Sequence, residues 1–342
     1  MKFGLLLYRG LFGVRTMNGG LETIIKLAKK GEELGYDSLW MTDESWWTPD
    51  PVTYATILAE RTRKIMIGIL GMNPYVRHPL SLALSLHTYG EMAGRRAIAG
   101  VCAGSEVRLK KLGLSRLKPL VAVSETIDLM RRLVREHPLD YQGQYVKVEG
   151  VSAPWIKNDL TVYICANGPR MLELAGRVAE GVVLAHFPPS YAKWGLRFVR
   201  KGLDDGHKTM KSFDYCVQPI AFISKRRAKA FSSAKRYLPF LPPPIALART
   251  RILEECGFTA DEVKSIRGAY HEAFSRPAKN LPPEIVEKIV RSFAITGTPE
   301  EALEKVREYK SAGITQVIVG FTPEENTPES LSYFKKYVID KL

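Results

Sequence analysis

Residues 2–41, KFGLLLYRGLFGVRTMNGGLETIIKLAKKGEELGYDSLWM, decide the architecture. An apolar run of strand length, 2–7, leads through a loop ending at Asn18-Gly19-Gly20 into a helix over 21–34. Gly35 stops that helix, and Ser38-Leu39-Trp40-Met41 supplies a second strand. A strand, a helix and a second strand in so short a span are the grammar of a parallel sheet, whose crossovers are helical.

The unit recurs along the chain. A helix over 53–63 precedes a strand over 64–70, and a helix over 80–93 precedes a strand over 96–101. A helix over 120–135 leads to Tyr141-Gln142-Gly143-Gln144-Tyr145, which reads as a small hairpin. Then come a strand over 161–165, a helix over 171–179, a strand over 181–185, a helix over 191–202 and a strand over 216–223, with the eighth strand at 316–320. Eight strands alternating with helices predict an α/β fold of the closed (β/α)8 TIM-barrel type rather than an open doubly wound sheet. Barrels of this kind reach the full length of 342 residues, so a single domain over 1–342 is expected. The stretch 225–291 is too long for one connection and is read as a helical insertion between strands seven and eight. It is placed to cover the barrel mouth or to support a dimer. Pro239-Phe240-Leu241-Pro242-Pro243-Pro244 inside it reads as a rigid turn.

Composition narrows the partners. The chain is 45% hydrophobic and 25% charged, which describes a globular protein with a large core. Lys plus Arg number 50 against 36 Asp plus Glu, a formal net charge of +14 that favours anionic partners. The basic residues are scattered, with short clusters such as Lys225-Arg226-Arg227, and form no recognisable nucleic-acid module, so no nucleic-acid partner is expected. No apolar run has the length of a membrane span and the N-terminal apolar stretch is too short for a signal sequence, which predicts no membrane partner and a cytoplasmic location. Cys102, Cys165, Cys216 and Cys256 are widely separated and are expected to be reduced, most of them within strands. The histidines are isolated from one another, so no metal site is expected, and His78, beside Pro79, reads as structural.

In such barrels chemistry collects where the strands end. Strand two ends in Thr42-Asp43-Glu44-Ser45-Trp46-Trp47, where two carboxylates and two indoles either build a pocket or cap the next helix and fill the rim. Strand three ends in Gly71-Met72-Asn73-Pro74, a turn that lets the backbone approach a planar ligand or that simply connects. Strand four ends in Cys102-Ala103-Gly104-Ser105-Glu106, whose small residues leave room for a ring and whose Glu106 is a candidate acid or base. Strand five ends in Asn167-Gly168-Pro169-Arg170, a helix start able to receive an anion, though such starts are common without a ligand.

At these residues a resemblance enters. Asn73-Pro74-Tyr75-Val76-Arg77-His78-Pro79 resembles the (T/N)-P-x-x-R-H-P segment of luciferase-like oxidoreductases. Gly168-Pro169-Arg170-Met171-Leu172-Glu173-Leu174-Ala175-Gly176, with Ala179-Glu180-Gly181, is similar to their G-P-x-x-L-x-L-A-G-x-x-A-D-G stretch. Gly297-Thr298-Pro299-Glu300-Glu301, Ala312-Gly313-Ile314 and the Y-x-G-x-Y hairpin complete a likeness that runs in order along almost the whole chain. Within the superfamily the chain most resembles the methylenetetrahydromethanopterin reductases that depend on the deazaflavin coenzyme F420.

The resemblance implies an oxidoreductase that exchanges hydride between coenzyme F420 and a small organic substrate, acting as a homodimer or higher homo-oligomer. It implies a non-prolyl cis peptide at Gly71–Met72 against the back of the ring, and an acidic residue, Asp43, at the ring edge. Trp47, Asn73, Ala103 and Gly104 fall in the ring pocket, and Asn167, Gly168, Pro169 and Met171 hold the phosphate-bearing tail. His186, with Trp46 and Trp47, falls at the substrate mouth, and Asp43, Glu44 or Glu106 would handle a proton. The chain departs from its relatives in having Glu44 where histidine is common, Leu6 and Leu7 where a strand-one carboxylate is common, Ser105 before Glu106, and no lysine in Ala185-His186-Phe187-Pro188. An FMN-dependent monooxygenase or reductase, and a barrel that binds its cofactor without turnover, are the two other readings.

Overall fold

A computed structural model describes residues 1–7, 20–43, 48–237, 250–272, 280–322 and 327–342. The Pro239–Pro244 run, the Asn18-Gly19 turn, Glu44, Trp46 and Trp47 lie outside the described residues. The strands are β1 (Lys2–Leu6), β2 (Ser38–Thr42), β3 (Met66–Met72), β4 (Ala97–Cys102), β5 (Leu139–Gln142), β6 (Lys147–Val151), β7 (Thr161–Cys165), β8 (Gly181–Ala185), β9 (Asp214–Gln218), β10 (Ile220–Ile223), β11 (Ala294–Gly297) and β12 (Gln316–Phe321). Their order in the main sheet is β1-β2-β3-β4-β7-β8-β9-β12-β10-β11, and β12 also pairs with β1. The sheet therefore closes on itself as the expected (β/α)8 TIM barrel, and β5 and β6 form the separate hairpin.

Helices fill the connections. They are α1 (Gly20–Glu33), α2 (Pro51–Arg61), α3 (Pro79–Ala93), α4 (Glu106–Lys111), α5 (Pro119–Arg132), α6 (Pro169–Val178) and α7 (Pro189–Asp205). The insertion carries α8 (Arg227–Arg236), α9 (Thr250–Glu255), α10 (Ala260–Glu272) and α11 (Pro283–Phe293), and α12 (Pro299–Ser311) and α13 (Pro328–Tyr337) flank β12. Most of these helices begin at a proline, whose fixed φ suits the first turn and whose missing N–H would have had no partner there. Strand seven of the sequence reading is broken at Pro219, which cannot donate to a ladder, into β9 and β10. The short β11, which pairs in parallel with β10, follows α11 directly and carries too few residues to stand out from that helix's apolar pattern.

Two compact units can be distinguished, Gly4–Val183 with Phe198–Asp214, and Met1–Phe3 with Leu184–Arg197 and Tyr215–Leu342. In the first, Trp40 is fully buried and its ring nitrogen donates to Ser38 Oγ at 2.7 Å. Trp40 is the register partner of Gly68 on β3, and a Cβ on Gly68 would lie 2.1 Å from the indole. Its centroid is 5.6 Å from that of Tyr163 on β7, although β3 and β4 separate the two strands in the sheet. The rings therefore meet in the barrel interior. Tyr163 in turn lies over Gly181 of β8 and donates from its hydroxyl to Asp214.

Gly68→Ala is expected to destabilise the fold by about 3 kcal/mol, because a rigid buried indole must move to admit a methyl group. Urea unfolding measures this, and an unchanged midpoint contradicts the packing described.

Candidate functional site

The ends of β2, β3, β4 and β7 lie side by side in the first unit, with Cys102 of β4 opposite Cys165 of β7. At the end of β2 the Asp43 N–H donates to Leu70 O at 2.9 Å, which ties this turn to β3. Asp43 does not cap the following helix. Asp50 does so, accepting from the Thr53 amide at 2.8 Å and hydroxyl at 2.9 Å, and pairing with Arg77. Burial alone would raise the Asp50 pKa, but the Thr53 bonds and the Arg77 guanidinium hold it below its ordinary value.

β3 ends in a bulge between Ile69 and Met72, with Gly71 at φ 84°. The Gly71–Met72 peptide is trans, contrary to the cis bond that the resemblance implies. The left-handed turn at Gly71, a conformation that residues with a Cβ rarely adopt, redirects the strand end instead. Its carbonyl accepts from Cys102 Sγ at 2.8 Å, and the Cys102 sulfur accepts from the Gly104 amide at 3.2 Å. Met72 is fully buried. Asn73 is buried too, its Oδ1 accepting from the amides of Tyr75 at 3.2 Å and Val76 at 3.0 Å. Ala103 and Gly104 are half-buried beyond the end of β4.

The carboxylates separate into two environments. Glu106 opens α4 with its side chain 73% exposed and bonded to Arg116 at 2.7 Å, while Arg116 also donates to Gly104 O at 3.3 Å. Asp43 is half-buried, and its charge acts on Cys102 and on Arg108, a residue that the sequence reading did not single out. Arg108, half-buried on α4, is desolvated enough to bring its pKa down to about 10, with Asp43 opposing that shift. Cys102 is pushed up to about 12 by burial, with the Asp43 charge adding to the rise. Burial also raises the Cys165 thiol well above its ordinary value. The cysteines are all free thiols.

The family-like segments around this cluster have structural partners. His78 caps α3 by accepting the Leu80 amide at 3.2 Å. Glu125 accepts three amides of the hairpin turn, from Gln144, Tyr145 and Val146, at 2.8, 2.9 and 3.1 Å. Tyr145 reaches from the hairpin to Pro74 O at 2.9 Å, and its ring stands edge-on to Tyr75 at 5.5 Å. Tyr75 donates to Leu117 O at 2.8 Å, and burial raises its pKa to about 12.

After β7, Asn167 and Gly168 lead into α6 with Pro169 at its first position. The amides of Met171 and Leu172 both donate to Gly168 O at 3.0 Å, and Pro169 has none. Arg170 therefore offers the open N–H of the first turn. His186, at the end of β8, belongs to the other unit. Among the described residues no group of three His, Cys, Asp or Glu side chains is placed to hold a metal, and no helix is long and apolar enough to cross a membrane.

The first unit thus carries a bulged third strand and, after β7, a helix start with an open N–H. The profile of the luciferase-like monooxygenase family matches residues 1–316, and the chain belongs to that family. The 5,10-methylenetetrahydromethanopterin reductase of Archaeoglobus fulgidus is 29% identical over 323 residues, covering 94% of this chain and 95% of that one. The structure of the coenzyme F420-dependent tetrahydromethanopterin reductase of Methanopyrus kandleri superposes with a TM-score of 0.83 at 24% identity, over 99% of each chain. An F420-dependent secondary alcohol dehydrogenase, solved with an F420–acetone adduct, has a TM-score of 0.75 at 17% identity, again over 99% of each chain.

A raised thiol pKa means little thiolate. In the native protein near pH 8, Cys102 is expected to react with iodoacetamide at least about tenfold more slowly than an exposed cysteine. Mass spectrometry of the labelled peptides checks this, and equal labelling in native and urea-unfolded protein would contradict the burial described.

Proposed function

We propose that the protein is an oxidoreductase that exchanges hydride between coenzyme F420 and a small organic substrate, in the manner of the methylenetetrahydromethanopterin reductases. The observation that carries this reading is the bulge at Gly71, joined to a likeness to a 5,10-methylenetetrahydromethanopterin reductase and to an F420-dependent glucose-6-phosphate dehydrogenase, each along 94% of the chain. A Cβ at Gly71 would find its nearest neighbour, Cys102 Sγ, at 3.7 Å, so the glycine leaves a shallow cradle at the strand end. Gly104, at φ 63°, is packed closely instead, since a Cβ there would meet Asn73 and Leu109 at 3.3 Å. These residues fit a planar ring, and the half-buried Arg108 fits a ring or tail that carries negative charge.

When bound, the deazaflavin supplies a carbon centre that accepts or gives hydride. The protein's share is position and exclusion of water. Gly71, Met72 and Asn73 would carry one face of the ring, and Ala103 and Gly104 one edge. Asn167, Gly168, Pro169 and Met171 would hold the phosphate-bearing tail, with the Arg170 N–H as a donor. Asp43, set against Arg108, is the better placed carboxylate to hold a proton, because Glu106 is exposed and engaged by Arg116. Glu44 and Trp47, which lie outside the described residues, belong to the proposed site through the family likeness. A single domain and a cytoplasmic homodimer without nucleic-acid or membrane partners are part of the same proposal.

Titration of the apoprotein with F420 and with FMN at one salt concentration, followed by fluorescence, tests it. Selective F420 binding is expected, with Gly71→Val weakening it by about tenfold or more by filling the cradle and straining the backbone. Selective FMN binding moves the protein to the FMN-dependent monooxygenases or reductases, and binding of neither overturns the cofactor reading.

A further inference from the structure

Residues 107–117 hold four of the eight large apolar side chains that are exposed among the described residues, Val107 (67%), Leu112, Leu114 and Leu117 (63%), so this exposure is concentrated rather than scattered. The backbone that carries them is fixed. α4 ends in a Schellman turn at Gly113, φ 72°, where the amides of Gly113 and Leu114 donate to Lys110 O at 3.1 Å and Leu109 O at 2.9 Å. Beyond it Arg116 returns to Glu106 and to Gly104 O, and Leu117 O accepts the Tyr75 hydroxyl at 2.8 Å. Of the leucines in this stretch only Leu109 is turned into the core.

The same stretch runs through Lys118 and Pro119 into α5, whose first turns border a groove of about 560 Å³ against α6. Leu120, Val121 and the buried Leu174 form its apolar side. Arg170 and Arg177 also line it, two turns apart on one face of α6, with roughly 10 Å of helix between them. The two carboxylates in the groove are taken, Glu125 by the hairpin amides and Glu173 by Lys201. Lys110, Lys111, Lys118, Arg170 and Arg177 are exposed and have no acidic partner among the described residues. An aliphatic strip and a set of unanswered cations thus share one surface, and all of it lies within Gly4–Val183 of a single unit.

We propose that this surface docks an acidic amphipathic helix of a partner protein, with its apolar stripe on Leu117, Leu120 and Val121 and its carboxylates toward the lysines and the two arginines. Charge selects the occupant. A second copy would bring the same cations onto these and itself carries a net charge of +14. A lipid surface is flat and does not enter a groove between helices, and an aliphatic strip offers no ring for a nucleobase to stack on. A helix laid between α5 and α6 matches the i, i+3, i+4, i+7 spacing with which Arg170, Glu173, Leu174 and Arg177 face it. The inference is independent of the oxidoreductase reading.

The test uses the full-length protein and a fluorescein-labelled helical peptide of about 20 residues, with leucine at every third or fourth position and glutamate between, beside a counterpart with lysine for glutamate. Fluorescence anisotropy is expected to show the acidic peptide binding, less tightly as salt rises, and the basic peptide not binding. Two variants locate the contact: Leu117→Ser combined with Lys118→Asn, which suits the left-handed φ of 42° there, and Arg177→Glu. Each is expected to weaken the acidic peptide about tenfold while the urea midpoint and the F420 titration stay unchanged. No binding of the acidic peptide, equal binding of the two peptides, or wild-type affinity in both variants overturns the proposal. Cosedimentation with phosphatidylglycerol vesicles that the variants abolish assigns the surface to lipid, and a dimer that they dissociate assigns it to a second copy. Loss of F420 affinity in the variants assigns the groove to the cofactor. Each of these three results overturns the proposal as well.

Discussion

The structure depends on two large rings inside the barrel and on the glycines that make room for them. Trp40 on β2 lies over Gly68 of β3, and Tyr163 on β7 lies over Gly181 of β8. A shift of one residue in either pairing would set a ring against a side chain or turn it to the other face of the sheet. Register is thereby fixed by volume as well as by backbone bonds. Because the strands are parallel, their register also sets where they end, and the ends of β2, β3, β4 and β7 are where the candidate cofactor residues lie. Core packing and site geometry are here one constraint seen at two ends of the same strands.

Around that frame, charge is distributed by burial. Arg77 with Asp50, and Arg116 with Glu106, are pairs with at least one partner well exposed, so their Coulomb energy is screened and they serve chiefly to position loops. Asp43 and Arg108 interact where Arg108 is largely desolvated, and the Asp43 charge also acts on the Cys102 thiol, which burial holds in its neutral form. A carboxylate and a guanidinium there keep the local charge near balance.

The barrel was legible in the sequence because each strand is a short apolar run and each helix has a stop. The helix starts at 53, 80 and 191 fall one or two residues late, because Pro51, Pro79 and Pro189 read as loop residues and are the first helical positions, whereas Pro169 reads as a first helical position and is one. Pro219 inside an apolar run concealed the break between β9 and β10. The Gly71 turn was located correctly, but its backbone state was not, since a bulge and a cis bond both redirect a strand at a glycine and sequence does not separate them. Arg108 was missed because α4 is a single short helix in what reads as a loop. Its signal was an arginine two residues beyond Glu106, within reach of any carboxylate on the neighbouring turn. The R-H-P and Y-x-G-x-Y segments pointed to the right region, yet Arg77, His78 and the hairpin amides act there by tying loops together.

The central claim is that the ends of β2, β3, β4 and β7 form the seat of a deazaflavin. A crystal structure of the protein with F420 bound tests it most directly. The account predicts the ring flat against Gly71 and Met72, one edge toward Asp43 and Arg108, and the phosphate at the start of α6. A ring bound elsewhere on the barrel, or bound here with its phosphate away from Gly168 and Arg170, would contradict it.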